Sequence, residues 1–307
     1  MPHLYHKLKE ALPIVYIVLD LEWNGAYSHK AHGYFNEIID IGAVKLNADL
    51  ETLDTFQTVI KPSVSRKLSH IVQDLTHMEA EELESGETFE RAIELFKAWI
   101  EPDEAAFLTW SQTDLLVLME NFRFFYQQNE IPFMTGYADI QRYCQQKMGV
   151  SLHQQMGLRS ACEQLQIPIA EENHRALGDS LLTADVLRSV GDISSLQSVL
   201  QRTDDIFYER ILFKPVVVRD IHSPLIQRDK LRFVCPVCGR RLRHKSPWTF
   251  RGHAFCADLI CGSCRKEYIG RVQFKQTYDS VNIKRKLVEK TPPSGNEEKG
   301  VSHETER

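Results

Sequence analysis

Asp20 and Glu22 stand two residues apart where the apolar run Val15-Tyr-Ile-Val-Leu19 stops, so both side chains leave the same face of a strand. Asp114 opens a helical pattern directly after a second apolar run, Ala105–Trp110. Asp179 lies in the first turn of a third apolar pattern, five residues after His174. In open α/β sheets, ligands gather beyond the strand ends. Four carboxylates converging there without basic partners would repel one another, and hard divalent cations such as Mg²⁺ or Mn²⁺ relieve that repulsion. Taken singly, Asp114, Asp179 and His174 also have plain structural explanations, whereas Asp20, capping a buried strand, needs a partner. A helix start favours Asp for its free amides and dipole, and a lone His is usually an ordinary surface residue.

A second constellation is built from sulfur. Seven cysteines occur, and five of them fall between residues 235 and 264. Cys235-Pro-Val-Cys238 and Cys261-Gly-Ser-Cys264 form two knuckles, each offering two thiolates on a tight turn, enough for one tetrahedral structural Zn²⁺. Gly239 and Gly262 stand beside the ligands where a turn favours positive φ. His253 and Cys256 lie in the intervening loop, and either could replace a ligand. Cys144 and Cys162 sit singly in helical patterns and read as small core residues.

The elements that must position these groups follow from periodicity. Residues 15–19, 37–46 and 52–60 read as strands, the first apolar enough to be buried on both faces. Phe89, Ile93, Phe96 and Ile100 recur at helical spacing before Pro102. A short strand at 105–110 runs into a helix bearing Leu115, Leu118, Met119 and Phe122. Helices follow at 140–148 and 158–165, and a last one begins near Ala176. Strands followed by alternating helix and strand predict an α/β domain with a mixed central sheet flanked by helices. The expected boundaries are an α/β domain at 1–200, a connector at 201–229, a zinc-ribbon-like β module at 230–286 and an unstructured polar tail at 287–307.

Charge divides along the same line. The chain carries a formal −5, but residues 1–208 hold −15 and residues 209–290 hold +12. A basic module on an acidic body suggests that the module handles a polyanion. Arg240, Arg241, Arg243, Lys245, Arg251 and Lys266 surround the knuckles, with Trp248, Phe250, Phe255 and Tyr268 between them. Basic groups interleaved with rings suit single-stranded nucleic acid, unless the rings form the module's small core. The first residues lack a secretory pattern and no run reaches a membrane span, so a cytoplasmic protein with no membrane partner is expected.

Taken together, the motifs resemble the DEDD exonucleases of the ribonuclease H-like fold, in their His-containing branch. Val18-Leu-Asp20-Leu-Glu22 matches the first motif, Leu108-Thr-Trp-Ser-Gln-Thr-Asp114 the second, and His174-Arg-Ala-Leu-Gly-Asp179-Ser-Leu-Leu-Thr-Ala184 the third. The likeness covers residues 16–190 and is nearest to the histone-mRNA, RNA-interference and sporulation-kinase inhibitor exonucleases. It implies a metal-dependent 3′→5′ exonuclease releasing nucleoside 5′-monophosphates from single-stranded RNA or DNA, with RNA favoured. Asp20, Glu22, Asp114 and Asp179 would hold two Mg²⁺ or Mn²⁺, Asp20 bridging, with His174 as general base. Trp23 and Asn24 stand where many relatives have Thr or Ala-Thr, a position that often touches the terminal nucleotide, and Ser180 replaces the usual Ala. The rival expectation is a non-catalytic regulator on the same fold that acts by binding a protein.

Overall fold

The computed structural model describes residues 15–65, 67–101, 104–169 and 175–290, which form two compact units divided between Ile211 and Leu212. In the first unit, β1 (Val15–Ser28), β2 (Gly33–Leu46) and β3 (Thr52–Val59) form an antiparallel meander. Two short helices, α1 (His70–Thr76) and α2 (Ala80–Glu84), lead to α3 (Phe89–Ile100). Next, β4 (Ala105–Thr109) pairs parallel with β1. α4 (Thr113–Tyr126) returns the chain to β5 (Met134–Asp139), parallel to β4. α5 (Ile140–Lys147), α6 (Leu158–Leu165), α7 (Ala176–Val190) and α8 (Ile193–Val199) precede a short β6 (Gln201–Arg202) and α9 (Asp205–Leu212). The sheet order is β3-β2-β1-β4-β5-β6.

Helices cover both faces of this mixed sheet, which is why Val15 to Leu19 are buried without alternation. Tyr143, Ala161, Ala184 and Leu187 pack on one face against Tyr16, Val18 and Leu108. The other face is aromatic: Phe96 of α3 meets Phe107 of β4 edge-on at 6.0 Å, and Phe89 meets Phe122 of α4 at 6.1 Å. Thr88 caps α3, its hydroxyl accepting the Arg91 N–H at 3.2 Å, so the apolar stripe starts in register with the sheet.

Two features depart from expectation. The β1–β2 hairpin runs on to Ser28 and Gly33, well past the apolar run, because its polar residues pair across the strands as far as Ser28↔Gly33. A fifth strand, Met134–Asp139, escaped notice because Thr135 and Gly136 interrupt its apolar pattern.

The second unit contains β7 (Val216–Val217), a 3-10 turn at Arg228–Leu231, β8 (Arg243–His244), β9 (Thr249–Arg251), β10 (Ala254–Ile260), β11 (Glu267–Gln276) and β12 (Val281–Glu289). Its antiparallel sheet runs β12-β11-β10-β8, with β9 also on β10 and β7 on β11. Phe233, Phe255, Leu259, Tyr268, Val272 and Phe274 form its core. The expected connector at 201–229 is instead shared out: β6 pairs with β5 of the first unit, while Val218 and Ile226 are buried in the core of the second. β12 carries the module beyond residue 286 to Glu289, and the rest of the expected tail, from residue 291, lies outside the described residues. Among the described residues no helix is long and apolar enough to cross a membrane.

Candidate active site and metal centres

The carboxylates meet because a helix start rests on a strand. Asp20 of β1 lies opposite Gly42 of β2. A Cβ on Gly42 would fall 2.0 Å from the backbone of Ala176 and Leu177, so the first turn of α7 sits directly on the β2 backbone. Ser180 secures the contact, its hydroxyl donating to the Gly42 carbonyl at 2.8 Å while buried. The replacement of the usual Ala therefore supplies a strut. Asp179 is carried to the middle of β1, where one ligand oxygen each from Asp20, Glu22 and Asp179 lie within 4.8 Å of one another. A register shift between Glu22 and Trp23 breaks the β1–β2 ladder immediately after Glu22, a local kink of the kind that re-aims side chains. Asp114, buried in the first turn of α4, stands beside the trio, its Oδ1 accepting the Leu21 N–H at 3.2 Å.

Negative charge is concentrated at this point. Burial, and then the charges of Asp114, Asp179, Glu22 and Asp40, lift Asp20 well above the usual carboxylate range. Burial followed by Asp179, Asp40 and Asp114 raises Glu22 to about 8, only partly opposed by Arg175. Burial also raises Asp114 to about 7 against the Leu21 hydrogen bond, which favours its charged form. Arg175 is engaged elsewhere, its Nε 2.9 Å from Asp40 and its terminal nitrogen 2.8 Å from Glu82. Asp40 is fully buried opposite Glu22, and Gln57 also donates to it at 3.3 Å. An all-oxygen donor set under this repulsion fits hard divalent cations. Asp40, Gln57 and Glu82 went unnoticed in the sequence, although an Asp within Ile38-Ile-Asp-Ile41 signals a carboxylate that needs a partner.

The other expected site residues fare differently. His174 lies outside the described residues. Trp23 is half-buried beside Glu22. Asn24 is a correction: it is 1 % exposed, donates to the Lys67 carbonyl at 3.1 Å and accepts the Ser69 N–H at 3.0 Å. It straps β1 to the loop before α1, and its buried amide is committed to that task.

In the second unit the four knuckle thiols converge. Cys235–Cys264, Cys238–Cys261 and Cys261–Cys264 are 3.8, 3.5 and 3.6 Å apart between sulfurs. A tetrahedron with Zn–S of about 2.3 Å requires sulfurs about 3.8 Å apart, so the set fits one such ion. The knuckles match each other: Gly239 N–H donates to the Cys235 carbonyl at 2.9 Å, and Arg265 N–H to the Cys261 carbonyl at 2.9 Å. The left-handed residues are Gly239 (φ 70°) and Arg265 (φ 57°), so the expected role of Gly262 belongs to Arg265. Tyr268 places its hydroxyl 3.5 Å from the Cys235 sulfur, the kind of outer contact that orients a ligand. Cys256 is buried away from the cluster, its thiol near the Arg251 and Ala254 carbonyls, and neither it nor His253 joins the four. The expected stacking surface is also corrected. Phe255 and Tyr268 are buried, Trp248 and Phe250 pack against the same core, and Lys245 and Lys266 are paired with Glu267 and Glu289.

Known proteins can be set against this geometry. The fold is similar to that of the nuclease domain of 3′hExo, a DEDDh family member, bound to rAMP, at 20% identity and a TM-score of 0.52, covering 64% of this chain and 98% of that one. It is similar to a full-length 3′-exonuclease at 20% identity and a TM-score of 0.51, covering 62% and 86% of the two chains. A 3′-exonuclease in 3′-end specific recognition of histone mRNA stem-loop aligns at 20% identity and a TM-score of 0.50, covering 64% and 72%. At that identity the likeness establishes the ribonuclease H-like fold. No curated protein matches the sequence. The exonuclease family (RNase_T) matches residues 17–187, more than half of the chain, running from β1 into α7 and containing all four carboxylates. The chain therefore belongs to the exonuclease family and is an enzyme of the exonuclease class built on the ribonuclease H-like fold.

Proposed function

We propose that this exonuclease removes nucleotides one at a time from the 3′ end of single-stranded nucleic acid, RNA in preference to DNA, releasing nucleoside 5′-monophosphates. The observation that carries the proposal is the meeting of Asp20, Glu22 and Asp179 within 4.8 Å beside the buried Asp114. These four would hold two Mg²⁺ or Mn²⁺, and the sulfur cluster one structural Zn²⁺. Bound at the carboxylates, the divalent ions would supply Lewis-acid stabilisation of charge on the phosphoryl group and on the attacking and leaving oxygens. The chain's own residues do the rest. Asp114, fixed by the Leu21 N–H, and Asp179, carried by the α7 turn whose Ala176 and Leu177 sit on Gly42, keep the negative cluster rigid. His174 accepts the proton of the attacking water as its oxygen bonds to phosphorus and the P–O3′ bond breaks, and the departing O3′ takes a proton from solvent to leave a 3′-hydroxyl on the shortened strand. Trp23, half-buried beside Glu22, would meet the terminal nucleotide. Direction and RNA preference are supported by the motif resemblance to the histone-mRNA and RNA-interference branch. Cysteines spaced in two knuckles that suit a metal rather than a disulfide framework support a reducing, cytoplasmic setting.

The test is to incubate the protein with Mn²⁺ and single-stranded RNA or DNA labelled at one end or the other. A 5′-labelled strand should give a descending ladder, while a 3′-labelled strand should release labelled mononucleotide at once. The opposite assignment of ladder and mononucleotide would overturn the direction, and faster DNA hydrolysis the preference.

A further inference from the structure

We propose that the outward face of the second unit's sheet is a track for the sugar–phosphate backbone of a nucleic-acid strand, a binding surface made of residues outside the carboxylate cluster. The proposal rests on the reading that nucleic acid is the substrate, and it is tested separately from that reading.

Strand register assembles the surface. Cys256 of β10 lies opposite Arg271 of β11, which lies opposite Lys286 of β12. One step along, Gln273 lies opposite Lys284. Directly opposed residues share a sheet face, so this face carries small buried side chains, Ala254 and Cys256, beside long exposed cations. The result is a recess of about 380 Å³ lined by Ala254, Arg271, Gln273, Lys284, Arg285 and Lys286. No carboxylate lines it.

Charge placement keeps the recess cationic: Asp258 and Glu267 lie further along the same face, and both are paired with lysines. Residues 212–290 hold 18 Lys and Arg against six Asp and Glu. Four of those acids are paired with lysines: Asp229 with Lys230, Glu267 with Lys245, Glu289 with Lys266, and Asp258 with Lys290. Among the described residues none forms an ion pair with Arg271, Lys284 or Lys286. Arg271 and Lys286 are like charges placed directly opposite, an arrangement that destabilises a sheet unless an anion sits between them. Arg271 is held in place by donating to the Gly252 carbonyl, which uses one of its five N–H donors. Gln273 is held by donating to the His253 carbonyl at 2.9 Å. Fixed donors and unpaired cations around an apolar floor suit repeated phosphates. The face carries no aromatic ring, so binding would be sequence-independent and governed by counterion release. An acidic protein segment is the other polyanion, but carboxylates lack the regular backbone repeat that a row of cations along two strands matches.

The experiment uses the full-length chain in an Asp20→Ala background, so that strands survive without a chelator that would strip zinc. Fluorescence anisotropy with a labelled oligouridylate of about 20 nucleotides is followed across salt for the parent and for Arg271→Ala/Lys284→Ala/Lys286→Ala. Each lost phosphate contact removes about 0.7 from the log–log salt slope, so the slope should fall by about 2 and Kd should rise on the order of 10²-fold at 0.1 M salt. Zinc content checks the fold, and Lys284→Gln/Lys286→Gln, which changes only two exposed side chains, replaces the triple variant if zinc is lost. An unchanged Kd and slope would overturn the proposal, as would poly-glutamate competing as well as the oligonucleotide. Hydrolysis of a dinucleotide by the active chain reads the first proposal independently. If that fails while the variants still lose binding, the track stands and the catalytic assignment falls.

Discussion

The metal-free protein should become less stable as pH rises, and Glu22→Gln should remove much of that loss. Burial followed by the neighbouring carboxylates moves Glu22 from 4.5 to about 8. A folded value above the unfolded one means that the folded chain keeps a proton the unfolded chain has released. Stability is therefore fully present below about pH 4.5 and is lost as pH climbs towards 8. At pH 7 the gap above 4.5 corresponds to a ceiling of about 3.4 kcal/mol, at 1.36 kcal/mol per decade. Water reaches this half-buried carboxyl, and the effective dielectric of such sites lowers the figure to about 2 kcal/mol. Gln keeps the shape and carries no charge, so in EDTA at pH 8 the variant should melt ~4–8 °C above the wild type. Near pH 5 the two should melt within about 1–2 °C of each other. Circular dichroism at 222 nm reads the first unit selectively, because the described α-helices belong to it. Millimolar Mn²⁺ should reverse the order, since an ion that binds only the folded wild-type site stabilises it by mass action. A difference in melting that does not change with pH, or a variant less stable at pH 8 in EDTA, would refute the reasoning.

Asp20→Ala should abolish hydrolysis while leaving the far-ultraviolet spectrum intact, and hydrolysis that survives in EDTA would count against metal dependence. His174→Ala should lower kcat by roughly 10²–10⁴-fold across pH 6–9 while Mn²⁺ still raises the melting temperature; an unchanged kcat would return His174 to an ordinary surface role. Gly42→Ala should force α7 off β2, because its new Cβ would start 2.0 Å from the helix backbone. The expected cost is about 3 kcal/mol of stability and on the order of a 10²-fold loss of kcat from displacement of Asp179, both measurable by melting and initial rates. Cys235→Ser/Cys238→Ser should abolish zinc retention and unfold the second unit, while dinucleotide hydrolysis by the first unit continues.

What could be read from the sequence depended on whether a residue's partners lay nearby in the chain. Asp20, Glu22, Asp114 and Asp179 were visible because each stands where an apolar run ends or a helix starts, a local signal. That signal alone is ambiguous: Asp139 also ends a strand, yet it caps α5 by accepting the Arg142 N–H at 3.1 Å. Asp40 was hidden because its partner Arg175 lies 135 positions away, and only the fold joins them. Asn24 was misread because its ties to Lys67 and Ser69 cross a loop that no periodicity describes. The knuckles were legible from spacing, since each pair of thiols closes a local turn. The cationic face of β11 and β12 was missed for the opposite reason. Arg240 to Lys245 crowd together in sequence, whereas Arg271, Lys284 and Lys286 become neighbours only through the register of β11 and β12.

The seat of α7 on Gly42 has a consequence for how this enzyme can vary. The spacing between β2, whose Gly42 lies opposite Asp20, and the helix that carries Asp179 is set there by backbone against backbone, with no side chain between them. Packed side chains can be exchanged for others of similar volume with adjustments of a few tenths of an ångström, whereas two main chains in contact have no such play. Changes among Val44, Leu108, Ala184 or Leu187 in the nearby core would then alter melting temperature while leaving the carboxylate spacing nearly fixed. Drift in the hydrophobic interior is thereby uncoupled from the chemistry. A population of variants could explore many interiors at constant turnover, and the few positions closed to that exploration would be those, like Gly42, where main chain meets main chain.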